Sequence, residues 1–231
     1  MAIMNRHLPV IFAAAAALLA VAAQPARASL KGGVEAFIDG DFQRVVKELH
    51  KVLKRKRQPL KAQLIMARMY LDGTGVPVNY SRAYQYLRPA AKKNNAWAHY
   101  QLGLLYAAGQ GPIQSFRQAN KHFLKAAQTG YAPAQLALGR ALLNGRGVSQ
   151  KDRVGGYAWV NLAATGLNGA ARDDATRLRD LTAAEMTRGE IARAQARSLD
   201  WSVNIEIEEP KIVALMRQAR KKSKHPAGKR T

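Results

Sequence analysis

The chain has 231 residues, with 37 Lys and Arg against 15 Asp and Glu, a formal net charge of +22, and no cysteine. Without cysteine there is no disulfide, no thiol nucleophile and no lipid-modified amino-terminal thiol. A balance this basic points to an acidic or polyanionic partner without naming one.

Residues 1–28 read as a cleavable signal peptide. Arg6 and His7 form a short polar start, Leu8 to Ala23 is an alanine-rich apolar run, and Pro25-Ala26-Arg27-Ala28 offers an A-x-A cleavage site before Ser29. The run is shorter than the roughly 20 apolar residues that a bilayer span needs, and no later stretch is long and apolar enough to span. The expected address is the bacterial periplasm or the outside of the cell.

Residues 29–61 read as a capping helix pair: a short helix over Gly33 to Ile38, a turn at Asp39-Gly40-Asp41, then a stripe of Phe42, Val46, Leu49, Val52 and Leu53. It runs into the basic cluster Lys54-Arg55-Lys56-Arg57.

Residues 62–166 contain three copies of one pattern, about 36 residues apart, divided at 62–95, 96–131 and 132–166. In the first half of each copy, Ala62, Met66, Met69 and Tyr70, then Ala98, Leu102, Leu105 and Tyr106, then Ala134, Leu138, Ala141 and Leu142 recur at i, i+4, i+7, i+8. That spacing is one apolar stripe of a helix. Small residues Ala67, Gly103 and Gly139 interrupt it and admit a close neighbour. The second halves repeat the spacing with Ala83, Leu87, Ala90 and Ala91, with Ala119, Phe123, Ala126 and Ala127, and with Gly156, Val160, Ala163 and Ala164. A fixed period of this size means stacked helix pairs. The expected fold is all-α: a right-handed α-solenoid of helix-turn-helix repeats, about three full repeats plus helical caps.

Between the halves, Gly73, Gly109 and Gly145 stand where a helix ends in a left-handed residue, and Gly75, Gly111 and Gly147 let the chain reverse. A phosphate-binding reading of Gly-x-Gly fails because a helix, not a strand, precedes it. Copy three has one extra residue between Gly147 and Gly156, and Gly155 with Gly156 marks an expected soft point.

Residues 167–201 read as carboxy-terminal capping helices, Ala170 to Leu181 and Ala183 to Trp201, with Thr182 and Glu185 as a capping box. Ala192, Ala196, Leu199 and Trp201 are the expected apolar cover. Residues 202–231 form a basic tail, with no acid from Lys211 onward. Ile212, Leu215, Met216 and Ala219 suggest one short helix, and Lys224 to Thr231 is expected to be disordered.

Leu102-Gly103-x-x-Tyr106-x-x-Gly109-x-Gly111, Ala119, Lys125-Ala126-Ala127-x-x-Gly130 and Tyr157-Ala158-Trp159-x-Asn161-Leu162-Ala163-Ala164 resemble the SLR (Sel-one-like repeat) family, relatives of tetratricopeptide repeats. The resemblance covers Ala62 to Gly166. It implies a protein-binding scaffold; members assist envelope assembly, exopolysaccharide export, signalling, motility and host contact. The chain departs at Pro112, where Val is usual, and at Pro89, which is expected to bend its helix. It also lacks the disulfide pairs of the cysteine-rich members tied to β-lactams, so that activity is not carried over.

No chemistry is legible. The histidines, His7, His50, His99, His122 and His225, lack metal-ligand spacing, and neither Gly-x-Ser-x-Gly nor a Ser-x-x-Lys set is present. Asp173-Asp174 reads as a helix-start pair. No catalytic residue, cofactor site or metal site is assigned, and the chain is read as no enzyme. The expected partner is a protein, met by first-helix side chains on the concave face: Arg68, Trp97, His99, Gln101, Gln135 and Arg140, with Trp97 as the aromatic anchor, although Trp97 and Trp159 read equally well as core aromatics. The alternative is an anionic envelope polymer or lipid headgroup held by Lys54, Arg55, Lys56, Arg57, Arg220, Lys221, Lys222 and Lys224. Nucleic acid is set aside, because export removes the protein from it and stacking aromatics are missing near the basic runs.

Overall fold

The computed structural model describes residues 29–55 and 58–203. The signal peptide, Lys56, Arg57 and the tail lie outside the described residues. Ten helices and no strand occur among the described residues: α1 Leu30–Asp39, α2 Phe42–Leu53, α3 Leu60–Asp72, α4 Tyr80–Ala91, α5 Ala96–Ala108, α6 Phe116–Ala127, α7 Ala132–Asn144, α8 Arg153–Gly166, α9 Gly169–Ala184 and α10 Arg188–Val203. Helices pair in sequence from α1–α2 to α7–α8, each pair packs on the next, and α9 and α10 close the stack against α8.

The local signals act where the sequence places them. Asn79, Ser115 and Asp152 precede the second helices and accept the amides of Arg82, Gln118 and Gly155, which relieves amides that have no partner inside the helix. The first helices end at Gly73, Gly109 and Gly145 with φ of 71°, 69° and 72°. The next turn returns each chain to the same anchor: Asn79 and Ser115 amides donate to the Tyr70 and Tyr106 carbonyls at 2.9 Å, and Asp152 to Leu142 at 3.1 Å. The extra residue of copy three is therefore absorbed between Gly147 and Asp152.

The second glycine of each turn has a further task. A Cβ at Gly75 would lie 2.0 Å from Phe42 Cβ, one at Gly111 3.0 Å from the Tyr80 carbonyl oxygen, and one at Gly147 2.4 Å from the Phe116 carbonyl carbon. Phe42, Tyr80 and Phe116 begin α2, α4 and α6. Each turn thus docks, through its glycine, on the start of the previous repeat's second helix. The Asn120 amide, donating to the Arg146 carbonyl at 2.6 Å, ties the third turn down in the same way.

Ala62, Met66, Ala83, Leu87, Ala98, Leu102, Ala119, Ala126, Ala134 and Ala163 are all buried along the seam. Gly139 and Gly156 face one another there: a Cβ at Gly139 would meet Val160 Cγ2 at 2.6 Å and the Gly156 carbonyl at 3.0 Å. The expected soft point at the start of α8 is instead a close contact with α7, and Asp152 caps it. The helix α4 runs through Pro89 to Ala91.

The closing helices differ from expectation in boundary and phase. Helix α9 continues through Thr182, whose hydroxyl donates to the Leu178 carbonyl at 2.7 Å. The capping box stands five residues later: Thr187 N to Glu190 Oε2 at 2.8 Å and Glu190 N to Thr187 Oγ1 at 3.3 Å. Replacing Thr187 by Ala is expected to cost about 1 kcal/mol, the usual worth of such a cap, read as a lower thermal midpoint; an unchanged midpoint would show that α10 is anchored by packing alone. In α10 the buried positions are Ala194 and Ser198, whose hydroxyl reaches the Ala158 carbonyl at 3.0 Å. Ala192, Ala196 and Leu199 lie exposed, so the predicted cover is rotated and only Trp201 belongs to the packed side. Asp174 lies in the second turn of α9 and serves Arg140 of α7 in an ion pair, not the helix start.

Candidate partner-binding site

Three of the six predicted contact residues are not on a free surface. Trp97 is 5%, His99 4% and Gln135 3% exposed. Trp97 packs with Leu87, Ala90 and Leu102. His99 and Gln135 share one place in the repeat with Gln63, directly after the inward Ala62, Ala98 or Ala134, and all three are buried. The Gln135 amide donates to the Ala127 carbonyl at 3.2 Å, satisfying an acceptor at the end of α6. Gln63 donates to Gln58 at 3.1 Å. His99 Nδ1 stands 2.9 Å from His122 Nδ1. A polar residue there bonds a neighbouring segment of the stack instead of facing solvent.

Arg68, Gln101 and Arg140 do reach the surface. Arg68 pairs with Asp72 one turn on, and Arg140 with Asp174. Two tyrosines stand between them, Tyr100 and Tyr131, with ring centroids 5.3 Å apart. Burial and the neighbouring Tyr100 push the Tyr131 phenol up to about 12, with Arg68 opposing. Burial likewise raises Tyr100, opposed by Arg140.

A second column of aromatics was not anticipated. Tyr70 stacks on Tyr86 at 5.9 Å, and one repeat later Tyr106 stacks on His122 at 5.5 Å. The matching pair in copy three is Leu142 and Trp159. Leucine is smaller than tyrosine, and Trp201 of α10 stacks on the Trp159 indole at 4.1 Å, leaving Trp159 5% exposed and Trp201 the more accessible of the two. The result is a cleft of about 460 Å³ with a floor of Trp159 and Trp201, walls of Leu124 and Leu142, and a rim of Asp152 and Arg197. Arg197 Nη1 stands 3.8 Å from Asp152 Oδ2, and Leu124 is 39% exposed. Leu142 breaking the Tyr70, Tyr106 series was the sequence signal that could have found it.

The histidine pair is structural in setting. Burial, then His99 and Lys125, hold the His122 pKa at about 4. Burial and Lys125 also lower His99. No group of three or more metal-ligating side chains occurs among the described residues. Lys54 and Arg55 are exposed at the end of α2, whereas Lys56, Arg57, Arg220, Lys221, Lys222 and Lys224 lie outside the described residues.

Stacked helix pairs with this register make the protein an α-solenoid of the tetratricopeptide class. The chain carries three Sel1 repeats, matched by the family model at residues 60–95, 98–131 and 132–166. Proteins built of such repeats generally mediate protein–protein interaction and are typically non-catalytic scaffolds. Two solved structures share the fold. One is a protective antigen present in uropathogenic Escherichia coli strains displaying an SLR fold, 22% identical over 82% of this chain with a TM-score of 0.61. The chain spans 37% of that protein's length. The other is a Sel1 repeat protein from Oxalobacter formigenes, 21% identical, covering 84% of this chain and 85% of its own, with a TM-score of 0.54. No curated protein matches the sequence.

Proposed function

We propose that this chain is an exported adaptor of the bacterial cell envelope that holds a protein partner in the Trp159–Trp201 cleft. The cleft itself carries this reading. It joins the side-chain types that dominate binding energy, two tryptophans and an arginine, in a concavity that the other two repeats close with a tyrosine. The amino-terminal signal pattern supports export, and the repeat class supports a protein partner. The Arg68, Tyr100, Tyr131, Arg140 face lies elsewhere on the stack and offers tyrosines in place of the two tryptophans, and is the lesser candidate.

Leu142→Tyr rebuilds in copy three the stack of the other two copies and fills the cleft. It is expected to leave the thermal midpoint within a few degrees of the parent while abolishing the partner crosslinks formed in intact cells. Leu124→Glu, at the exposed wall, should weaken the same crosslinks by about tenfold or more, the loss of one good apolar contact. Crosslinks unchanged in both variants would remove the cleft as the binding site.

A further inference from the structure

From Gly73 to Lys151 the sequence contains no Asp or Glu, yet its Lys and Arg are frequent. The structure places six of these cations on two second helices: Arg82 and Arg88 on α4 with Lys92 just beyond it, and Arg117, Lys121 and Lys125 on α6. All six are exposed. No ion pair among the described residues involves any of them; the pairs that form use Lys31, Arg68, Arg140, Arg153, Arg179 and Arg197. On α6 the three cations recur at four-residue steps, and on α4 Arg88 and Lys92 do so with Arg82 about a third of a turn round the helix from Arg88, so each set lies on one broad exposed side. The same outward positions of α2 hold Arg44, Lys47 and Lys51, also exposed, so the basic face spans three consecutive repeat units.

The roots of this face are fixed. Arg82 donates to the Tyr70 hydroxyl at 2.8 Å and lies over that ring, and Arg88 lies 5.7 Å from the centre of the Tyr84 ring. Tyr84 in turn meets the Tyr106 hydroxyl at 2.8 Å, and Tyr106 stacks on His122 of α6. The positive field of this face also reaches the histidines behind it: Arg82 and Lys54 lower the His50 pKa after burial, and Lys125 lowers His99 and His122. Solvation alone does not require cations gathered on one side with every acid excluded. Mutual repulsion destabilises such a face until a counter-charge arrives.

We infer that the outer face of α4 and α6 docks on an anionic lipid headgroup layer. Two observations select this source of negative charge. On this face no aromatic ring is more than partly exposed, and Tyr84 and Phe116 are already engaged by Arg88 and Arg146, so a nucleic acid finds no free stacking platform on it. The turns that lead into these helices instead present bare aliphatic side chains, Val78 at 49% and Ile113 at 92% exposure. A bilayer interface accepts such groups beside a cationic face, and a dissolved polyanion has no use for them. The docked face borders the wall of the cleft at Leu124, so a protein partner would be met close to the membrane surface. This inference is independent of the cleft's occupant.

The test is co-sedimentation of the chain from Ser29 onward with vesicles of phosphatidylglycerol and phosphatidylcholine in equal parts, against phosphatidylcholine alone. Each basic side chain near an anionic surface is worth a roughly fivefold change in partition. Arg82→Gln, Arg88→Gln, Arg117→Gln and Lys121→Gln together should therefore lower partition by about a hundredfold or more. Ile113→Ser should lower it further at high salt, where the apolar contribution is what remains. The control removes equal charge from the tail (Arg220, Lys221, Lys222 and Lys224 to Gln) and should have the smaller effect. A larger loss in the tail variant would overturn the proposal, as would binding of soluble polyphosphate as tight as binding of the vesicles.

Discussion

Gly147→Ala is expected to destabilise the protein by about 3–5 kcal/mol, while Gly40→Ala costs only about 1–2 kcal/mol. Both residues have left-handed backbones, with φ of 71° and 80°, and share the conformational penalty for an L side chain there. They differ in what a Cβ would meet. At Gly40 there is nothing within 4 Å. At Gly147 the new carbon would stand 2.4 Å, 2.5 Å and 2.7 Å from the carbonyl carbon and oxygen of Phe116 and the amide nitrogen of Arg117. These are backbone atoms of α6, which cannot rotate away as a side chain end can, so the third turn must lift from the second repeat. The Asn120 bond to the Arg146 carbonyl is strained with it. Urea unfolding of the two variants beside the parent measures the difference. Equal losses would mean that the second glycine of each turn serves chain reversal alone and holds no repeat to its neighbour.

That docking task shows where sequence reading stops. The period, the helix stripes and the left-handed ends at Gly73, Gly109 and Gly145 are local properties, set by 3.6-residue spacing and by the steric cost of φ above zero, and they were legible. The partner of Gly147 is Phe116, thirty-one residues earlier, and no local pattern announces it. Helix α10 fails for another reason. Ala192, Ala194 and Ala196 allow more than one phase of an apolar stripe, and only the match of Ala194 and Ser198 to the surface of α8 selects one. Thr182 and Thr187 each precede a Glu at capping-box spacing; packing assigns the helix end to the latter. For the site, Gln135 and His99 looked like surface groups because a polar residue beside a stripe is usually solvated. Their partners, the Ala127 carbonyl and the His122 ring, are contributed by neighbouring helices. Leu142 in a tyrosine position was visible, but its meaning needed Trp201 from a helix outside the repeats.

Acid should loosen the stack at its second repeat. The ordinary histidine pKa is 6.5, and in the folded protein His122 titrates at about 4 because burial, His99 and Lys125 all oppose its protonation. Its surroundings offer no carboxylate to compensate: Tyr106 stacks on it from α5, His99 meets it from the same helix, and Lys125 follows on α6. The unfolded chain therefore takes up a proton as pH falls through about 6.5, and the folded chain does so only near 4. Stability is complete above the unfolded value and declines continuously between the two. The His122 contribution is about 2 kcal/mol at pH of about 5, with His99 and His50 acting in the same direction. His122→Tyr reproduces the Tyr70–Tyr86 arrangement of the first repeat, where a tyrosine hydroxyl already meets a histidine, His50, at 3.1 Å. Urea midpoints between neutral and mildly acidic pH should fall more steeply for the parent than for this variant, since carboxylates common to both have barely begun to titrate there. Parallel pH profiles would show that the folded protein protonates His122 at the ordinary value, and that the pair relaxes rather than resists.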